Sequence, residues 1–421
     1  MAGTSRPGCA SRPRVDGPLR LLAIAPTGFF ADYGCHVRIR GQMAALQARG
    51  HAVRIVTYPG GRDVDGLRTL RPSFWPAGRP MPVGSSRRKL LLDTLLAPTA
   101  LHGALHFPGG RPDIIHAYLH EGALLGAALA RLLHAPLVFD FQGSLTAEML
   151  DHRFLQPGSP VLPLLQRLEG WIDRQPQAIL ASSQHAAKLL GQAGVPAGNI
   201  HTLPDSVDPR AFRPREELPQ HSLDQLRQRL ALPAGRPLLV YLGLLAPYQG
   251  TDLLLHAMQH LRLRRPAPHL LLMGFPDVAR YRALAERLGL ARHVTFTGAV
   301  PYEDAPLHLA LGDLAVAPKI SATEGSGKLL PYMAAGLPVV AFDTPVHREY
   351  LGELGIYAPA GDAAGLAAAI AWALEHPVAA HRPVHALRAR AVCHYTWDHA
   401  AQGIERVYNQ LLLGGRVQLG V

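Results

Sequence analysis

Short apolar runs alternate with amphipathic stretches along this chain, and the alternation occurs in two rounds. The first round holds LLAIA (21–25), VRIVT (53–57), IIHAY (114–118), LVFDF (137–141), ILAS (179–182) and IHTLP (200–204), with helical spacing around 35–49, 121–134 and 184–193. The second holds LLVYLG (238–243), HLLLM (269–273), VTFT (294–297), LAVA (314–317) and VVAF (339–342). Helical periods there cover 251–263, 278–288, 303–311, 328–336 and 365–376. Nearly continuous apolar runs separated by helices read as parallel strands buried on both faces. The pattern predicts an α/β chain of two doubly wound, Rossmann-like domains. The polar, Pro-rich stretch 204–222 reads as the linker between them, dividing the chain into 19–207 and 208–395. A closing helix near 398–412 is expected in the remaining segment, 396–421. Ligands of such sheets sit beyond the carboxyl ends of the strands, which places the active site in the cleft between the domains.

Composition removes several other classes. With 48% hydrophobic residues the chain is too apolar for disorder, and no repeat period suggests a solenoid. Three distant cysteines, Cys9, Cys35 and Cys393, fit no disulfide framework and point to a reducing cytosol. Residues 1–18 lack the apolar core of a secretion signal and read as a disordered basic tail. The longest apolar stretch, 122–139, is broken by Arg131, His134 and Pro136, so a membrane span is not expected. Net charge is +11, of which the first 207 residues carry +8. Nucleic acid is not the expected partner, since zinc-finger spacing, an RNP-like aromatic strand and a long Lys/Arg run are all missing. An anionic membrane surface remains open as a partner. The stretch 85–107, three adjacent cations followed by Leu at helical spacing, reads either as a core helix or as an interfacial one.

The loops at the strand ends carry the chemistry. Gly34 opens the first helix, where a glycine lets backbone N–H groups approach a phosphate. In EGSGKLLPYMAAGLPVVAF (324–342) an acid, two glycines and a lysine precede a helix that runs into a strand. Ser326 is expected to cap that helix, with the N–H groups beside Lys328 forming an anion site. A Walker A loop fails here, because Ala322 and Leu329 stand at its Gly and Ser/Thr positions. The chain has four lysines, Lys89, Lys188, Lys319 and Lys328, and two of them lie within ten residues of each other. That clustering suggests a site needing a compact cation.

These features resemble the retaining glycosyltransferases of family 4, which have the GT-B fold. The resemblance rests on Gly34 with ARGHAV after its helix, DIIHAY, LPDSVDPRAFRP, YLGLLAPYQGTDLLL, KLLPYMAAGLPVVA and the closing YTW…A…VY helix, in that order. YLHEGAL, VFDFQGSLT, APYQG and FDTPVHREYLG look like the branch found with bacterial exopolysaccharide clusters. The resemblance implies transfer of a sugar, with retention, from a nucleotide-diphosphate donor on the C-terminal domain. The acceptor, a glycan or lipid-linked sugar, is implied on the N-terminal domain. No metal or other cofactor is implied, since basic groups neutralise the leaving diphosphate. Glu324 matches the acid that contacts the transferred sugar, and Lys328 is read with it as catalytic. The donor site is read as Gly34, Gly243, Gln249, Gly250, Ser326, Gly327 and Lys328. Where the family carries Arg, Lys and Glu for the diphosphate and ribose, this chain has Leu244, Gln249 and Pro331.

On the acceptor side the expected residues are His120, Glu121, Asp140 and Gln142. His116, His120 and Glu121 mimic metal-ligand spacing, but no metal site is expected from a strand end in a chain with 22 histidines. Asp63 and Asp65 read as a solvated turn. The leading expectation is a cytoplasmic, peripherally membrane-bound glycosyltransferase of cell-surface polysaccharide synthesis. The missing donor groups motivate an alternative, a non-catalytic GT-B protein binding a nucleotide or a partner. A GT-B epimerase or phosphorylase is the third reading.

Overall fold

A computed structural model describes residues 17–72, 87–152, 154–321 and 323–418. Most of the expected basic tail and the start of the 85–107 stretch lie outside the described residues. The first sheet contains β1 (Arg20–Ala25), β2 (Ala52–Thr57), β3 (Thr69–Leu70), β4 (Ile114–Tyr118), β5 (Leu137–Phe141), β6 (Ala178–Ala181) and β7 (Ile200–Thr202). The second contains β8 (Leu238–Leu242), β9 (His269–Met273), β10 (Val294–Gly298), β11 (Leu314–Ala317), β12 (Val339–Phe342) and β13 (Ile356–Ala358). Their orders are β3-β2-β1-β4-β5-β6-β7 and β10-β9-β8-β11-β12-β13, with parallel pairing throughout both ladders. All eleven strands read from the apolar runs are present. The runs missed β3 and β13, which have two and three residues and lie at sheet edges, too short for a hydrophobic signal.

Strand order reverses between β1 and β4 in one sheet and between β8 and β11 in the other. Loops diverge at such switch points and leave a crevice. Here the two crevices face each other.

The stretch read as a linker is packed. Phe212 is buried, and the Arg215 guanidinium donates to the carbonyls of Ala310, Leu311 and Gly312 at the end of a short helix. A lone parallel bridge joins Val207 to Thr396, so the chain crosses between the sheets twice, side by side. The final helix, Trp397–Gln418, returns to the first domain, where Ala401, Ile404 and Tyr408 join its core. Gly41 admits this return: a Cβ there would meet the Trp397 ring at 2.2 Å.

Among the described residues, no single helix is long and apolar enough to cross a membrane. The helix Arg87–Leu105 buries Leu92, Leu96, Ala100 and Ala104, so most of its apolar stripe belongs to the core.

Candidate active site

The facing crevices form one cleft of about 290 Å³ lined from both domains. Four switch-point loops reach it, those after β1, β4, β8 and β11.

Lys328 is the centre of the C-terminal side. Its Nζ donates to Gln249 Oε1 at 2.8 Å and to Tyr241 Oη at 3.1 Å, and it lies 4.4 Å from the centre of the Tyr241 ring. Tyr241 in turn donates to the Leu244 carbonyl at 2.7 Å, which fixes the phenol as an acceptor toward the lysine. Burial, reinforced by Lys319, pushes the Lys328 ammonium well below its ordinary range. An anion entering the cleft would favour the charged form. Gly243, just past β8, makes room for this side chain, since a Cβ there would meet Lys328 Nζ at 3.0 Å. Gly250 has φ +75°, and a Cβ would strike the Pro318 carbonyl at 1.7 Å, so only glycine fits.

Lys319 serves differently. Its Nζ donates to Glu324 Oε2 at 2.7 Å and to the Gly325 carbonyl at 2.5 Å, which anchors the acid in the cleft. Gly143, after β5, lets the domains meet there: a Cβ would lie 2.9 Å from Glu324 Cγ. Gly325 and Gly327 are similarly tight against Asp205 Oδ2, at 2.7 and 3.1 Å from an added Cβ.

Several expectations need correction. Ser326 does not cap the helix. Its buried hydroxyl pairs with His347 Nε2 at 3.1 Å, and His347 Nδ1 donates to the Phe342 carbonyl at 2.7 Å. Burial holds that imidazole neutral by lowering its pKa to about 4. The helix begins at Leu329 and has six residues, which leaves it little dipole to add. Gln249, read as a donor-site residue, lines the cleft and accepts a hydrogen bond from Lys328 through Oε1. Asp140 is turned away from the cleft and fully buried, taking 2.8 and 2.9 Å bonds from Arg38 and 2.8 Å from Gln42. Arg38 also reaches Asp205 at 3.1 Å, so this cluster braces the domain junction.

The other expected residues line the cleft. Gly34 is the first residue of the helix Gly34–Ala48, with open space where a Cβ would sit. Gln142 follows β5. His120 and Glu121 start the helix Leu119–Leu133 rather than ending the strand. Glu121 accepts from Lys89 at 3.3 Å, and His120 faces two acids, Asp173 and Glu169. Burial works against charge on His120, but those acids prevail and raise its pKa. His116 is buried in the core against Tyr408, 2.6 Å from its hydroxyl. Asp63 is exposed and pairs with Arg71.

The sequence reading missed Lys89, Tyr33, Glu148 and His152 on the acceptor wall. Burial raises the Glu148 pKa to about 7, with Lys89 opposing and Glu324 adding to the shift.

Comparison with known proteins agrees with this arrangement. The family model described as Glycosyl transferase 4-like domain matches residues 33–206, and that described as Glycosyl transferases group 1 matches 223–390. The chain belongs to the family 4 glycosyltransferases. This glycosyltransferase is 27% identical, over 94% of its length and 98% of the relative's, to the phosphatidyl-myo-inositol mannosyltransferase of Mycobacterium leprae. Sucrose-phosphate synthase from Thermosynechococcus elongatus superposes with TM-score 0.78 at 21% identity, covering 94% of this chain and 100% of that one. HepE of Anabaena, in complex with UDP-glucose, superposes with TM-score 0.73 at 18% identity, covering 92% and 99%. These likenesses establish the GT-B fold for this glycosyltransferase, with two parallel-sheet Rossmann-like domains.

Proposed function

We propose that this protein transfers a sugar, with retention, from a nucleotide-diphosphate donor to a glycan or lipid-linked acceptor in cell-surface or exopolysaccharide synthesis. The observation that carries the reading is Lys328, a half-buried lysine presented at the second sheet's switch point beside the Lys319–Glu324 pair. As the glycosidic C–O bond breaks, charge builds on the leaving diphosphate oxygen, and a preorganised cation there stabilises the transition state by several kcal/mol. Glu324, held by Lys319, is placed for the transferred sugar. The leaving phosphate oxygen takes the acceptor's proton, so a separate general base is not required. Retention and the polysaccharide role come from the family resemblance. The relatives and neighbours support the reading by the sugars and nucleotides in their names, an inositol lipid mannosyltransferase and a UDP-glucose complex among them.

The same reading places the protein on the cytoplasmic membrane face, by a different segment from 85–107. Along the helix Leu162–Ile172 on the acceptor domain, Leu164, Leu168 and Trp171 are 66%, 41% and 45% exposed at helical spacing, with Arg167 beside them. An apolar row flanked by arginine suits an anionic lipid interface. The non-catalytic alternative draws on Leu244 and Pro331, which line the cleft without charge.

Screening nucleotide-sugars by thermal shift, then assaying donor hydrolysis, tests the activity. A ligand at 100 times its Kd adds about 2.7 kcal/mol of stability. Binding with no hydrolysis or transfer to any acceptor would favour the non-catalytic reading. Flotation with anionic vesicles, compared with a Trp171→Glu variant, tests membrane attachment, and equal flotation of the two would exclude this helix.

A further inference from the structure

We propose that His120, Glu169 and Asp173 form a divalent-metal site, suited to zinc, behind the acceptor wall of the cleft. One ligand atom from each residue lies within 4.8 Å of the others, and all three residues are more than nine-tenths buried. His120 Nε2 is 3.2 Å from Asp173 Oδ1 and 3.7 Å from Glu169 Oε1. Tetrahedral zinc with bonds of about 2.0–2.1 Å separates its ligand atoms by about 3.3 Å.

The acids attract a charge on His120, yet the pair is poorly aligned for a hydrogen bond. His120 Nε2 and Asp173 Oδ1 are closed to water, and neither has a hydrogen-bond partner among the described residues, despite their 3.2 Å separation. A proton on Nε2 would therefore not point at the aspartate. Charge points the same way. Two buried carboxylates carry a charge of −2, which a divalent ion cancels when it takes the place of a proton on His120.

Glu169 is already oriented for this task. Its Oε1 accepts from Leu145 N at 2.9 Å, and its Oε2 accepts from Thr146 N at 3.1 Å and Thr146 Oγ1 at 2.5 Å. Such outer bonds fix a ligating carboxylate while leaving a lone pair on Oε1. Imidazole nitrogen with carboxylate oxygens suits zinc, and three protein ligands leave a fourth position for water. The ion would tie together the helices Leu119–Leu133 and Leu162–Ile172 and the start of Leu145–Asp151, the helix that carries Glu148 into the cleft. It would position the acceptor wall and take no part in bond breaking. His116 and Glu121, whose spacing with His120 suggested a metal trio, are occupied by Tyr408 and Lys89.

The test is independent of sugar transfer. Chelator-stripped full-length protein is titrated with zinc chloride by calorimetry, and bound metal is counted by mass spectrometry. Because other histidines bind zinc at the surface, the comparison with Asp173→Asn decides. The wild type should hold one more equivalent of zinc than the variant, and zinc should raise its melting temperature alone. X-ray absorption should show a first shell of about four N/O ligands at about 2.0–2.2 Å with the outer-shell scattering of one imidazole. If Asp173→Asn does not fold, His120→Gln serves for the same comparison. Equal zinc content and equal melting shifts in wild type and folded variant would overturn the site, as would no zinc uptake by the wild type.

Discussion

Lys328 Nζ and Gln249 Oε1 are 2.8 Å apart in the cleft beside the Tyr241 ring, the glutamine buried and the lysine half-buried. A lysine at position 249 would face Lys328 at that distance, so the glutamine found there orients one ammonium in place of supplying a second. Burial depresses the Lys328 pKa, while a bound diphosphate favours the charged form. The bound state therefore holds more protons than the free state. Nucleoside diphosphate binding should take up a proton and weaken as pH rises through the free-state pKa. Calorimetry in two buffers of different ionisation enthalpy reads this directly, and buffer-independent heats at every pH would contradict it.

Leu244 lines the same cleft without charge. A Leu244→Arg variant should bind nucleoside diphosphates about tenfold more tightly, since a charge-assisted hydrogen bond contributes about 1.5–3 kcal/mol. Titration of the two proteins with UDP, GDP and ADP checks it.

At Gly143 the two domains meet over Glu324. Gly143→Ala should displace the Glu324 side chain and lower turnover by up to about 100-fold, the cost of a misplaced group. Circular dichroism and melting temperature should stay near wild type, because the neighbour that must shift is a side chain. Unchanged turnover would show that the Glu324 position is not critical.

The strands were legible because each is a buried apolar run with its own boundary signals. The loop 324–328 stood out by composition, as glycines and a rare lysine between an acid and a helix. Its partners did not, since Tyr241 precedes Lys328 by 87 residues and Gln249 by 79, and only the fold unites them. Asp140 was misread for a related reason. A carboxylate near the cleft end of a strand looks available, and nothing local reveals that Arg38, 102 residues earlier, occupies it. Ser326 likewise had a capping position in sequence but found a histidine 21 residues on. Glu148 gave no signal, because an acid in an amphipathic helix is ordinarily a solvated one.

Glu148 gives a pH signature for the fold. Its folded pKa, about 7, lies above the ordinary carboxyl value, so the native state holds the extra proton between the two. Stability from this group is present below the unfolded value and is lost as pH rises through about 7. Glu148→Gln removes the dependence. The melting temperature of the variant relative to wild type should rise from pH 5 to pH 8, and a constant difference would exclude the assignment.

The most direct test of the proposed chemistry is turnover by Lys328→Ala against wild type, with a donor found by thermal shift and folding verified by circular dichroism. Removing one contact to a developing oxyanion costs on the order of 100- to 1000-fold in rate. Lys328→Ala should lose about that factor, whereas Lys188→Ala, on the separate helix Gln184–Gln192, should lose little. A well-folded Lys328→Ala protein with wild-type turnover and donor affinity would contradict the account.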